Sequence, residues 1–118
     1  MTQMSALLVS IAIEAAVAAA AIRVLRWGRS SRAALAAALG TLLTHWIAWQ
    51  VVPTAMNIIG TMPGFLAVEL VVTAVEAVVY LFIVPLSAVR AIVMSLIANG
   101  SSAVAGIILT ALSLFAAQ

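Results

Sequence analysis

Four long apolar runs, separated by short breaks rich in arginine, proline or glycine, make up almost all of this 118-residue chain. A helix that spans a bilayer needs about 20 apolar residues, so each run is long enough to cross a membrane once. Hydrophobic residues form 67% of the chain and charged residues only 7%, which is too little polar surface for a water-soluble domain. The sequence therefore predicts an all-α, polytopic integral membrane protein: one four-helix transmembrane bundle with short loops, covering 1–118.

The breaks in hydropathy set the expected helix boundaries at about 5–27, 33–52, 64–84 and 88–116. An arginine-rich stretch separates the first two runs, and Pro85 ends the third, with Ser87 placed to cap the fourth helix. The segment from Pro53 to Gly64 contains two prolines and two glycines. Because both residue types are poor in helix interiors, we expect this segment to be a non-helical loop.

The arginines indicate how the bundle is oriented, because cytoplasmic loops of membrane proteins are enriched in Arg and Lys. One arginine begins the fourth predicted helix, and the other four flank the first connection. They are Arg90, and Arg23, Arg26, Arg29 and Arg32. We interpret all five as topology anchors that extend to lipid phosphates. We therefore expect loop 23–32 to be cytoplasmic, both termini to lie on the outer side, and the membrane to be a bacterial inner membrane.

Each apolar run also contains polar residues that the centre of a bilayer normally excludes. A charge placed there costs about 2.5–3.5 kcal/mol, so such residues usually face the bundle interior and have partners. Counting about 1.5 Å per residue from the arginine-flanked ends puts three of them near mid-membrane and two nearer the outer boundary. The first group is Glu14, Glu76 and Asn99, and the second is His45 and Glu69.

Helical spacing gathers these polar residues into stripes, because side chains three or four positions apart share one helix face. In the fourth predicted helix the stripe is Ser95, Asn99, Ser102 and Gly106. Small and polar residues mediate helix association in membranes, so we expect the four stripes to converge. We expect Ser95, Ser102 and Gly106 to be helix-packing residues, with the closest approach to a neighbouring helix at Ser102 and Gly106.

Two functions fit this predicted cluster. The first is a proton- or ion-coupled transporter or channel subunit, in which Glu14 and Glu76 carry the proton or cation. In that hypothesis His45 is the relay, because histidine is a common proton-exchanging side chain, Asn99 orients the carboxyls, and Glu69 lies at the outer mouth. The second is a structural or accessory subunit of a larger membrane complex, in which the same residues only hold helices together.

Several other classes of function are disfavoured by what the sequence lacks. The chain has no cysteine and a single histidine, so it supplies no zinc finger and no three-ligand catalytic zinc site. It contains no nucleophile elbow, phosphate-binding glycine loop or dinucleotide fingerprint. We expect no enzyme activity, catalytic residue, metal, cofactor or nucleic-acid partner. Its expected partners are the lipid bilayer and either further copies of the chain or a larger membrane complex, since four short helices enclose little interior.

In length, in its four-helix plan and in the single glutamate of its first helix, Glu14, the chain resembles the small multidrug resistance exporters. Members of that family work as dimers and exchange protons for cationic drugs at this glutamate, so the resemblance implies proton exchange at Glu14. The chain departs from the family's glycine and aromatic pattern in helices two to four, and Glu69, Glu76 and His45 are additional. The likeness is an analogy for an intramembrane carboxyl and assigns no family.

Overall fold

The computed structural model describes residues 2–116, which fold into four α-helices joined by short connections. Helix α1 is Gln3–Leu25, α2 is Ser30–Ile59, α3 is Thr61–Ile83 and α4 is Ala88–Ala116. Each of the four is long and apolar enough to cross a membrane. The predicted all-helical, four-helix architecture is confirmed to this extent.

The helices form a ring in chain order, in which α1 and α3 each pack against both α2 and α4. One end of the bundle, the arginine end, holds the α1–α2 and α3–α4 connections and all five arginines, which are exposed. The opposite end, the open end, holds the start of α1, the α2–α3 turn and the last turn of α4. Trp27 and Arg90 join the two connections at the arginine end, where the guanidinium carbon lies 5.1 Å from the ring centroid.

The buried apolar core cluster lies in the half of the bundle nearer the arginine end. Alanines on α1, α2 and α4 allow the backbones to approach, and Ile22, Tyr80 and Met94 fill the remaining space. Among the described residues, α1 has no buried side chain before Glu14, and α4 has none after Asn99. The half nearer the open end is therefore the looser one.

The prediction of a non-helical loop from Pro53 to Gly64 is wrong, because α2 continues through Pro53 to Ile59. Only Gly60 interrupts the helices, with a φ of 99° that favours glycine. Pro53 is exposed, and a proline within a membrane-type helix is tolerated where local adjustments satisfy the freed carbonyl. Pro63 lies in the first turn of α3, where an N–H has no intrahelical partner to lose.

Gly64 is a packing residue and not part of a loop. It is buried in the first turns of α3, and a Cβ atom at this position would collide with the backbone of Ala55 and Met56 in α2. The α2–α3 turn is therefore a hairpin of two helices whose backbones nearly touch beside Gly60. At the other end of α3, Ser87 accepts a hydrogen bond from the Arg90 N–H at 3.3 Å, as expected for a residue that caps α4.

Candidate functional site

A cavity of about 950 Å³ occupies the looser half of the bundle, lined by residues of all four helices. Its wall is mostly apolar. The five polar residues that the sequence singles out as a pathway all line it: Glu14, His45, Glu69, Glu76 and Asn99. None of the described residues around the cavity is an arginine or a lysine. The structure thus brings these five residues to one site, away from the positive charges.

Glu14, on α1, is only 2% exposed and bonds to two other helices. The Thr41 hydroxyl, from α2, donates to Glu14 Oε2 at 2.5 Å. The Ser102 hydroxyl, from α4, donates to Glu14 Oε1 at 2.5 Å. The carboxyl group of Glu14 therefore links three helices, and Ser102, which we expected to pack against a neighbour, serves as one of its hydrogen-bond donors.

Glu76, on α3, is also 2% exposed and is bonded to α2. The Thr44 hydroxyl donates to Glu76 Oε1 at 3.0 Å. One turn away, a Cβ atom on Gly40 would lie 3.0 Å from Glu76 Cγ, so the glycine provides the space that this side chain occupies. The sequence did not single out Thr44 or Gly40, although Thr44 lies three residues from Thr41 and four from Gly40, and so shares a face of α2 with each.

Asn99 joins α4 to α3 through a different carboxyl from the ones expected. Its amide Nδ2 donates to Glu69 Oε2 and to Thr73 Oγ1, each at 3.0 Å. The Ser95 hydroxyl donates to the Thr73 carbonyl at 2.8 Å, which adds a second α3–α4 bond. Asn99 makes no described hydrogen bond to Glu14 or Glu76, so its expected role of orienting those two carboxyls is not supported by direct contact.

His45 lies on the cavity wall but makes no hydrogen bond to a carboxyl within the described residues. Its ring is half-buried and stacks on Trp49, with centroids 5.8 Å apart. Within residues 2–116 the buried Nε2 atom has no hydrogen-bond partner. The imidazole is thus placed beside the carboxyls and is not joined to them.

Gly106 is not a point of close helix contact, and the prediction that it marks one is wrong. A Cβ atom at Gly106 would meet nothing within 4 Å apart from its own helix backbone. The reason is that the second half of α4 buries none of its described side chains and borders the cavity. The closest approaches lie at Gly40 and Gly64 instead.

The three hydroxyl groups that contact Glu14 and Glu76 each have a second acceptor in reach. Thr41 Oγ1 lies 2.9 Å from the Ala37 carbonyl, Thr44 Oγ1 lies 3.0 Å from the Gly40 carbonyl, and Ser102 Oγ lies 3.0 Å from the Asn99 carbonyl. These acceptors are main-chain oxygens of the hydroxyl's own helix.

A hydroxyl group has one proton to donate and two lone pairs that accept. When the carboxyl is ionised, the hydroxyl donates to it. When the carboxyl is protonated, the acid donates to the hydroxyl, whose own proton turns to the carbonyl of its helix. Glu14 and Glu76 are therefore hydrogen-bonded in both protonation states without any movement of the heavier atoms.

Among the described residues that line the cavity, no arginine or lysine balances the carboxyls. Glu14, Glu69 and Glu76 are the chain's only acidic residues, and all three line it, whereas its arginines lie at the arginine end. The described residues include no set of three or more His, Cys, Asp or Glu side chains arranged to hold a metal ion. The site favours binding of protons or of a cation held by its charge, because uncompensated carboxylates in a poorly solvated site are costly.

No protein-family model, curated protein or solved structure matches this chain.

Proposed function

We propose that this protein spans a membrane through its four helices and acts as a proton- or cation-coupled transporter, or as the transporting subunit of a larger complex. The observation that carries the proposal is the set of three carboxyl side chains in one cavity, whose described lining residues include no arginine or lysine. The hydroxyl groups of Thr41, Thr44 and Ser102 support it, because they satisfy Glu14 and Glu76 whether or not these carry a proton.

The shape of the bundle favours a carrier over an open channel. The cavity lies toward the open end, and the packed core separates it from the arginine end. By the positive-inside rule the arginine end is cytoplasmic, so the cavity opens to the outer side of the membrane. In this proposal Glu14 and Glu76 bind the proton or cation, Glu69 lies nearer the open end, where Asn99 bonds it, and His45 exchanges protons from the cavity wall.

The test is flux in proteoliposomes that contain the purified protein and a pH-sensitive dye. Glu14→Gln and Glu76→Gln keep the size of the side chain and an acceptor for the threonine hydroxyls, so both variants should fold and reach the membrane. We expect both to lose the pH-dependent flux. Ser113→Ala, at a cavity-lining hydroxyl bonded only to its own helix, is the matched control and should keep it. Unchanged flux in both glutamine variants, or none in the wild-type protein, contradicts the proposal.

A second candidate is a structural or accessory subunit, and one observation favours it. The hydrogen bonds of the cluster connect every pair of neighbouring helices: α1 to α2, α1 to α4, α2 to α3, and α3 to α4. This role predicts no flux at any pH, a partner of fixed stoichiometry after extraction in mild detergent, and loss of assembly in Asn99→Leu and Ser102→Leu. Flux by the purified chain alone argues against it.

A further inference from the structure

Tyr80 has a buried hydroxyl group that the site described above does not use. The residue is 0% exposed, and its Oη atom has no hydrogen-bond partner within the described part of the chain. Buried polar atoms in proteins nearly always have a partner, so an unpartnered hydroxyl requires an explanation. A tyrosine that served only to fill the core could be a phenylalanine without this unsatisfied group.

The position of Tyr80 suggests what the hydroxyl does. It follows Glu76 by four residues on α3, which puts it on the same helix face and about 6 Å nearer the arginine end. Glu76 belongs to the cavity, whereas Tyr80 belongs to the core that closes it. Tyr80 is therefore the next hydrogen-bonding side chain along α3 on the way from the cavity to the arginine end.

The groups packed around Tyr80 carry no charge of their own. Each neighbouring helix presents apolar side chains to the same cluster: Ala18 and Ile22 on α1, Ala33, Ala36 and Ala37 on α2, Val84 on α3, and Ala91, Met94 and Ala98 on α4. The acidic groups nearest along the helices are Glu76, one turn from Tyr80, and Glu14, one turn from Ala18. Three exposed arginines directly adjoin cluster residues at the arginine end: Arg23, Arg32 and Arg90.

We propose that the Tyr80 hydroxyl relays protons between Glu76 and the arginine end, an inference that rests on the proposed transport function. In this structure Glu76 makes no hydrogen bond to the phenol, so the relay step begins with a side-chain movement that brings the two groups together. The carboxylic acid of Glu76 then gives its proton to the phenol oxygen, and the phenol proton passes to a water molecule on the side of the arginine end. The carboxylate is left behind, one hydrated proton is formed, and tyrosine returns to its neutral form. A phenol suits this step because it accepts and donates at the same time.

The packed core also sets when the relay can operate. Ile22, Val84 and Met94 are buried beside the ring, so water reaches the phenol from the arginine end only when these side chains move apart. The relay is then shut while the cavity is open to the other side. This arrangement prevents a continuous proton leak, which a carrier must avoid.

Two changes of Tyr80, which is the single tyrosine of the chain, test the relay. Tyr80→Phe removes one oxygen atom and nothing else. We expect proton flux in proteoliposomes to fall at least about tenfold, since positioned acid–base groups contribute at least that much to proton transfer. Membrane yield and resistance to unfolding should stay the same or rise. The infrared carbonyl band of protonated Glu76 is identified by its loss in Glu76→Gln. In Tyr80→Phe this band should depend on pH as it does in the wild-type protein.

Biosynthetic replacement of tyrosine by 3-fluorotyrosine alters this one phenol and preserves its hydroxyl. Because fluorine makes the phenol more acidic, we expect the pH profile of flux to shift, with no shift in the fluorinated Tyr80→Phe protein. Wild-type flux in Tyr80→Phe and an unshifted profile with 3-fluorotyrosine overturn the relay. If Glu76→Gln still abolishes flux in that case, the proposed transport function stands; absence of flux in the wild-type protein overturns the transport function itself.

Discussion

Removal of the Thr41 hydroxyl is the change that most directly tests how the cluster holds Glu14. Thr41→Val keeps the branched shape of the side chain and deletes the donor that lies 2.5 Å from Glu14 Oε2. Glu14 is 2% exposed, so water replaces the missing donor poorly. Ser102 still donates to the other carboxyl oxygen, and the loss is therefore confined to one of two interhelical bonds.

The size of the effect follows from the kind of bond that is lost. Hydrogen bonds between helices in membrane proteins contribute about 0.6 kcal/mol on average and up to about 1.7 kcal/mol. A bond to an ionised group contributes more, about 1.5–3 kcal/mol. Because the acceptor is a buried carboxyl, we expect Thr41→Val to lower the free energy of unfolding by about 1–2 kcal/mol.

The assay is reversible unfolding by sodium dodecyl sulfate in mixed micelles, followed by tryptophan fluorescence. Thr41→Ser retains the hydroxyl and should lose less stability than Thr41→Val. Thr110→Val is the matched control, because the Thr110 hydroxyl also bonds its own helix, at the Gly106 carbonyl, but contacts no carboxyl. Equal losses in Thr41→Val and Thr110→Val would show that the contact with Glu14 contributes nothing, and the reasoning would be refuted.

Two further predictions concern packing and access. Gly64→Ala should sharply reduce the yield of folded protein in detergent, because its methyl group collides with the α2 backbone. Gly106→Ala places a methyl group where nothing lies within 4 Å, so it should be neutral or stabilising. Equal yields of the two variants contradict the close approach of α2 and α3 at Gly64. Since the chain has no cysteine, Ser113→Cys and Ala36→Cys can report on the two halves of the bundle. A membrane-impermeant maleimide added from the side of the open end should label the first and spare the buried second, and labelling of both contradicts a closed core.

The sequence was informative where the physical signal is local. Hydropathy predicts four helices because each run is long enough to be recognised on its own. Helical periodicity predicts the residues of the cavity, since Glu69 and Glu76 lie seven positions apart and must share a face of α3. The same reasoning places Asn99 on the face of α4 that carries Ser95 and Ser102, and all of these residues except Ser95 line the cavity.

Local signals failed where the outcome depends on two helices together. Pro53 and Gly64 indicated a loop, but the packing of α2 against α3 keeps both residues in helices. Asn99 bonds Glu69 and not Glu14 because the choice depends on the relative height and rotation of α1, α3 and α4, which no single-helix pattern contains. Thr44 was overlooked because one threonine in an apolar run is unremarkable until its neighbour is known to be Glu76.

The composition of the cluster bears on the choice between transport and structure. Asn99 demonstrates that an amide can join two helices here, with bonds to two partners on α3. An amide at position 14 or 76 could bond the same threonine and serine hydroxyls, accepting at its oxygen and donating from its NH₂ group, without the cost of burying an ionisable group. A purely structural cluster thus has no need of three carboxyls around one cavity, whereas a site that binds and releases protons requires groups that ionise. The use of glutamate in place of glutamine at these positions is the feature that favours transport.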